Sequence, residues 1–138
     1  MKRFSFFLFL LTSLSVVAQD NQEAAVIQVI QDEHSFFCER NYDKWAATYD
    51  QTDKILWGNG VGFSMRGWEM MSKEFKTYFA DNPEPTKPST IFDHQATIDG
   101  DRAWVTSSQR NPDGNLSKRL TSLIRREGKW KIVALLFN

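Results

Sequence analysis

The sequence predicts an α+β domain, with helices gathered on one side of a curved antiparallel sheet. Two observations carry this. Helical periodicity fills the first part of the chain, whereas alternating, strand-like segments dominate after the proline-rich stretch "DNPEPTKPS". Those later segments are joined by turns such as Asp99-Gly100-Asp101 and Glu127-Gly128, connections too short for parallel crossovers.

The elements follow in order. "MKRFSFFLFLLTSLSVVAQD" opens with Lys2 and Arg3, runs apolar from Phe4 to Leu14 and reaches small or compact residues at Val16-Val17-Ala18. This is the layout of a secretory signal peptide, with an apolar run short of the roughly 20 residues a bilayer crossing needs. Residues 1–18 are therefore expected to be cleaved after Ala18, leaving an exported chain, periplasmic or secreted, with residues 19–138 as one domain. The new first residue is Gln19 rather than a lipid-accepting cysteine.

Residues 22–40 form a helix whose apolar stripe is Val26, Ile27, Ile30, His34, Phe37 and Cys38, at three- and four-residue steps. Asn41 caps a second, short helix in "YDKWAATYD", with Trp45 and Tyr49 on one face. Gly58-Asn59-Gly60 marks a hairpin. "GWEMMSKEFKTYFA" is a third helix, with Trp68, Met71, Phe75 and Phe79 helically spaced, and three prolines then make a loop. In the strands that follow, Phe92, His94, Ala96 and Ile98 share one side, and Ala103, Val105, Ser107 and Gln109 share another. The last strand, "KWKIVALLF", is apolar on both faces: Ile132, Ala134 and Leu136 on one, Val133, Leu135 and Phe137 on the other. A strand of this kind is covered on both sides, which predicts a central position, the core on one side and a second copy of the protein on the other.

Composition narrows the function. Without Lys2 and Arg3, the 17 basic residues become 15 against 17 acids, so no basic face exists for nucleic acid. A mature chain cleaved after Ala18 has no membrane segment. The single cysteine, Cys38, has no internal disulfide partner and reads as a buried thiol on a helix. Aromatic residues make up 14% of the chain, with five tryptophans, enough to fill a core and line a cavity.

Taken together, the first helix, "NYDKWAATYD", "GWEMMSKEFKTYF", "IDGDRAWVTSSQ" and "RREGKWKIV" resemble, in order and spacing, the nuclear-transport-factor-2-like superfamily and its SnoaL-like branch. The resemblance implies a cone: three helices closing over a strongly bent sheet, a cavity at the wide end, and pairing of two copies through the outer sheet face. It does not choose among isomerases, dehydratases, cyclases, ligand-binding factors and assembly domains.

The candidate pocket residues are His34, Trp45, Tyr49, Trp57, His94 and Gln109. An isomerase of the ketosteroid type needs a carboxylate base just after the second helix. The resemblance puts that position near Trp57, while Asp53 is expected in water at the hairpin mouth, so no catalytic carboxylate is identified. His34 is the candidate acid or base, since imidazole titrates near neutrality. Alternation leaves open which sheet face His94 takes. Trp68 and Trp104 are expected to be structural, and Trp57 and Tyr49 nearer the opening. Gln109, polar on an apolar face, needs a partner from His34, Tyr49, water or a ligand, because an unpaired amide costs about 1–3 kcal/mol. Lys118, Arg119, Arg125 and Arg126 are expected on the solvated outer face. Two histidines alone make no zinc site, and no cofactor is called for.

These residues predict an exported module that binds a small, largely apolar molecule and pairs as a homodimer. Two alternatives stand beside it: an isomerase, lyase or cyclase using His34, and a structural dimerisation domain with a filled cavity.

Overall fold

The computed structural model describes residues 5–59, 62 and 64–138, with side chains described from residue 21 onward. The signal-peptide reading falls on residues 1–18, outside the described side chains. The elements are α1 (Ser5–Cys38), α2 (Tyr42–Ala47), β1 (Leu56–Asn59), β2 (Ser64–Arg66), α3 (Trp68–Asp81), β3 (Thr90–Asp99), β4 (Arg102–Arg110), β5 (Leu116–Arg126) and β6 (Lys129–Phe137). Three helices pack on one six-stranded sheet of order β2-β1-β6-β5-β4-β3. Among the described residues no helix is long and apolar enough to cross a membrane.

Local chemistry places most boundaries. Asn41 caps α2, its side chain accepting from the Lys44 amide at 3.1 Å. Glu127 and Gly128 both take positive φ, 50° and 77°, the geometry of a two-residue turn whose twist matches the β5–β6 hairpin. β3 to β6 form an antiparallel meander.

Three expectations about the sheet are corrected. The sheet is mixed, because β1 lies parallel to β6, with Leu56 beside Ala134 and Trp57 beside Leu135. Short turns dictate direction only between strands they join, and no turn joins β1 to β6. On β6 the register slips between Ser122 and Leu123, which pair with Ala134 and Ile132 and leave Val133 as the extra residue. Past that bulge the alternation is reset: Leu135 and Phe137 join Ile132 on the inward face, and Ala134 and Leu136 turn outward. On β3 a second irregularity lies between Phe92 and Gln95, with Asp93 at φ 55°. It moves Phe92 to the face opposite Ala96 and Ile98, where the Arg110 guanidinium lies 5.3 Å from its ring. β6 is central, between β1 and β5, as its two-sided apolar pattern predicts.

The core lies between the helices and the inward sheet face. Val26, Ile30, Trp45, Tyr49, Ile55, Met71, Phe75, Val105, Leu123 and Ile132 are buried there. Trp45 is its hub: Phe75, Tyr49 and Phe79 pack around it at centroid distances of 4.4, 4.9 and 5.6 Å, and Trp68 stacks at 6.2 Å. Trp104 is 44% exposed on the outer face and not in this core.

Candidate functional site

Each element that crosses the interior becomes more polar toward one end. On α1, Val26 and Ile30 are succeeded by Glu33, His34, Phe37 and Cys38. On β5, Leu123 and Thr121 give way to Arg119 and Ser117; on β4, Ala103 and Val105 give way to Ser107 and Gln109. The register sets Gln109 beside Ser117, and Ser107 beside Arg119. The polar ends therefore meet at one place, and a pocket of about 330 Å³ opens there. That size is at the lower end of the roughly 300–1,000 Å³ of small-molecule sites.

One wall is apolar: Phe37, Trp57, Leu135 and Phe137. Trp57 meets Phe137 edge-on at 4.9 Å. The opposite wall is polar, made by Glu33, His34, Gln109, Ser117 and Arg119, and the rim is Thr86, Lys87 and Ser89 of the α3–β3 connection.

Glu33 and Arg119 form the floor. Glu33 is 4% exposed and Arg119 is 5% exposed, with Arg119 Nη2 donating to Glu33 Oε2 at 2.9 Å. Glu33 Oε1 accepts from Tyr49 Oη at 2.8 Å and Trp45 Nε1 at 3.0 Å. All three partners are donors, which suits the ionised carboxylate. Burial, and then the charge of Glu33, push the Tyr49 phenol well above its usual range. Arg119 Nη1 donates to Gln109 Oε1 at 3.3 Å. Gln109 Nε2 in turn donates to Asn111 Oδ1 at 2.9 Å and Ser89 Oγ at 3.3 Å. Gln109 thus finds its partners in Arg119, Asn111 and Ser89, a set different from the one the sequence pointed to.

His34 is half-buried, and its Nε2 accepts from the Ser89 amide at 3.0 Å. Burial, with the Arg119 guanidinium second, holds the imidazole below its ordinary value. Cys38 Sγ lies 3.7 Å from the same nitrogen, and burial pushes its thiol up, the opposite of what a reactive thiol needs.

Of the six pocket candidates, His34, Trp57 and Gln109 line the cavity. Trp45 and Tyr49 are buried in the core and touch the site only through Glu33. Tyr49 therefore lies deep in the interior, not near the opening. His94 shares the inward face, its Nδ1 2.9 Å from Ser107 Oγ, but does not line the pocket. Burial and Arg119 lower its imidazole too.

Two residues reverse the sequence reading. Arg119, expected in solvent, is a buried ion-pair partner. Its parity with Thr121 and Leu123 on β5 is the signal that places it inward. A carboxylate does occupy the pocket, reached from α1 and not from the position after the second helix; Asp53 is exposed. Glu33 falls three past Ile30, seven past Val26 and four before Phe37, so helical spacing puts it in the middle of the buried stripe.

No protein-family model matches the chain, and no curated protein matches it in sequence. Solved structures do match its fold. One is a single-residue variant of Rv3472, a protein of unknown function from Mycobacterium tuberculosis: TM-score 0.72, 16% identity, covering 89% of this chain and 74% of that one. Another is an NTF2-like protein of unknown function from Pseudomonas putida KT2440: TM-score 0.69, 14% identity, 86% and 87% covered. A third, from Shewanella frigidimarina NCIMB 400, is provisionally assigned as a ketosteroid isomerase: TM-score 0.64, 21% identity, 83% and 94% covered. At such identities the likeness speaks to architecture alone, and with the helices, sheet order and cavity above it leads to one statement: this chain has the nuclear-transport-factor-2-like fold.

Proposed function

We propose that the chain is an exported binding module that holds one small, largely apolar ring compound in the pocket between α1 and the β4–β6 strands, without transforming it. One observation carries this reading: the two groups on the pocket wall best placed to take a proton, the Glu33 carboxylate and His34 Nε2, are already engaged within the protein. Glu33 meets Arg119, Tyr49 and Trp45, and the Nε2 lone pair of His34 is taken by the Ser89 amide. A general base must reach the proton it abstracts with a free lone pair. The wall of Phe37, Trp57, Leu135 and Phe137 offers ring-sized apolar surface, and the polar wall orients what binds. Export rests on the N-terminal segment and its expected cleavage after Ala18, and pairing on the outer sheet face.

The test is a fluorescence titration of the mature protein with N-phenyl-1-naphthylamine, a neutral two-ring-system probe. Saturable binding at one site per chain is expected, and it should vanish in Ser117→Phe, which fills the pocket. No saturable binding, or equal binding by Ser117→Phe, overturns the reading. The competing reading is an isomerase, lyase or cyclase working through His34, favoured by an unprotonated imidazole on the pocket wall. It takes over if a ring compound that binds is converted and His34→Gln abolishes the conversion.

A further inference from the structure

The connection between α3 and β3, residues 82–89, forms the rim of the pocket and is tied to the end of α1 at three points. Arg40 Nε donates to the Glu84 carbonyl at 3.3 Å, the Thr86 amide donates to the Cys38 carbonyl at 2.9 Å, and the Ser89 amide donates to His34 Nε2 at 3.0 Å. The first two ties end on carbonyl oxygens, which accept at any pH of interest. The third ends on an imidazole nitrogen, and imidazolium carries a hydrogen on both nitrogens. No tautomer of the protonated ring can accept from Ser89. A proton on His34 turns the bond into one N–H facing another.

We propose that His34 is a proton-operated latch: protonation frees the Ser89 end of the rim, opens the pocket and lowers its hold on the ligand. This rests on the pocket reading above and adds its regulation. The charged and titratable groups around the imidazole are Glu33 and Cys38 on its own helix, Arg119 from β5, and Lys87 on the rim; β4 contributes the uncharged Gln109. Burial and the Arg119 guanidinium oppose a proton on the ring, while Glu33, itself paired with Arg119, and the Ser89 backbone favour one by less. The closed state therefore holds a neutral ring at neutral pH. The same bond is one corner of a connected set, because Ser89 Oγ donates to Asn111 Oδ1 at 3.0 Å and accepts from Gln109. Loss of the Ser89 anchor thus reaches the polar wall itself.

The experiment follows two readouts between about pH 7.5 and about pH 4.5, the range that brackets histidine titration. One is the affinity for N-phenyl-1-naphthylamine, which stays uncharged over this range. The other is amide hydrogen exchange at Ser89, expressed as protection relative to the unfolded chain. The parent protein should bind about tenfold more weakly at the acid end, the equivalent of one lost hydrogen bond, and Ser89 protection should fall with the same midpoint. In His34→Gln, whose amide oxygen can accept but not titrate, both quantities should be flat with pH. A pH-independent parent overturns the latch, as does a His34→Gln variant that keeps the parent's pH dependence; the latter would place the titration elsewhere, His94 being the other imidazole. If the probe fails to bind at neutral pH, the pocket reading fails and Ser89 exchange alone decides the latch.

Discussion

The two halves of the interior are built from the same elements and behave oppositely. Toward one end, α1, β4 and β5 contribute Ile30, Val105 and Leu123, and Trp45 gathers Phe75, Phe79 and Trp68 into a filled aromatic core. Toward the other, the same three elements contribute Glu33, Gln109 and Arg119, and a cavity remains. A close-packed region offers no room to a ligand. In the other region the side chains of the floor are held by one another, Arg119 by Glu33 and Gln109, and none of them reaches across to fill the space. Polarity keeps the pocket open, and the closed half holds that polarity in place: Trp45 and Tyr49 belong to the core by their rings and to the site by their Nε1 and Oη donors.

The sharpest way to break this division is to strip the floor of one charge. Arg119→Met leaves the Glu33 carboxylate buried without its cation and should cost about 3–5 kcal/mol, read from urea denaturation. The double variant Glu33→Leu/Arg119→Met should recover most of that loss, since apolar replacement of a buried pair is often neutral. It should also lose probe binding, because the polar half would then resemble the closed half. A double variant as unstable as Arg119→Met would show that the pair is needed for folding and does not merely hold the cavity open.

The next contrast sets one substitution in each half. Ile132→Ala in the closed half, where the side chain is fully buried, should cost about 2–5 kcal/mol and leave probe stoichiometry unchanged. Ser117→Phe in the open half should shift stability by less than about 1 kcal/mol, since it fills existing space, while abolishing binding. Equal stability losses would mean that the two halves are one continuous core.

The two halves were not equally legible in the sequence. The closed half was, because periodicity reports burial when every buried residue is apolar: Val26, Ile30, Met71, Phe75 and Phe79 stand where helical spacing puts them. In the open half the rule works against the reader. Glu33 and Arg119 obey the spacing of their elements but have the wrong chemistry for it, and a charge is assigned to solvent unless its partner, 86 positions away, is known. The bulges at Asp93 and Val133 reset alternation through backbone geometry that side-chain identity does not announce. The parallel β1–β6 pairing joins strands with no connection between them. His34 and Gln109 were legible because each is polar on an otherwise apolar face, and Trp57 because the chain carries more aromatic rings than a small core needs.

A smaller effect comes from acid. His34 and His94 both have folded values held below the ordinary imidazole range by burial, with Arg119 second. The unfolded chain therefore binds more protons as pH drops through about 6.5. Stability contributed by the two neutral rings is complete above that point, declines below it, and stops declining once pH passes the folded values. Urea midpoints taken across this window should fall with acidification. His34→Gln and His94→Gln should each remove part of the slope, and a slope unchanged in both variants would assign it to carboxylates.

The smallest effect on stability is expected on the outer sheet face, which contrasts with both inner halves by being apolar without being covered. Trp104 is 44% exposed and Leu120 39% exposed, with Leu136 and Ala134 turned outward beside them by the β6 bulge. Single exposed apolar residues are ordinary, but a contiguous set on one face is the mark of an association surface. The proposed pairing of two chains through this face makes a definite prediction. Leu120→Lys should change the stability of the isolated chain by no more than about 0.5 kcal/mol, yet sedimentation should find a dimer in the parent and a monomer in the variant. Because β5 carries Leu120 outward and Arg119 inward at adjacent positions, the monomeric variant also asks whether pairing stiffens the pocket floor. Probe affinity unchanged in the monomer separates the two faces of the sheet, and weakened affinity couples them through this one strand.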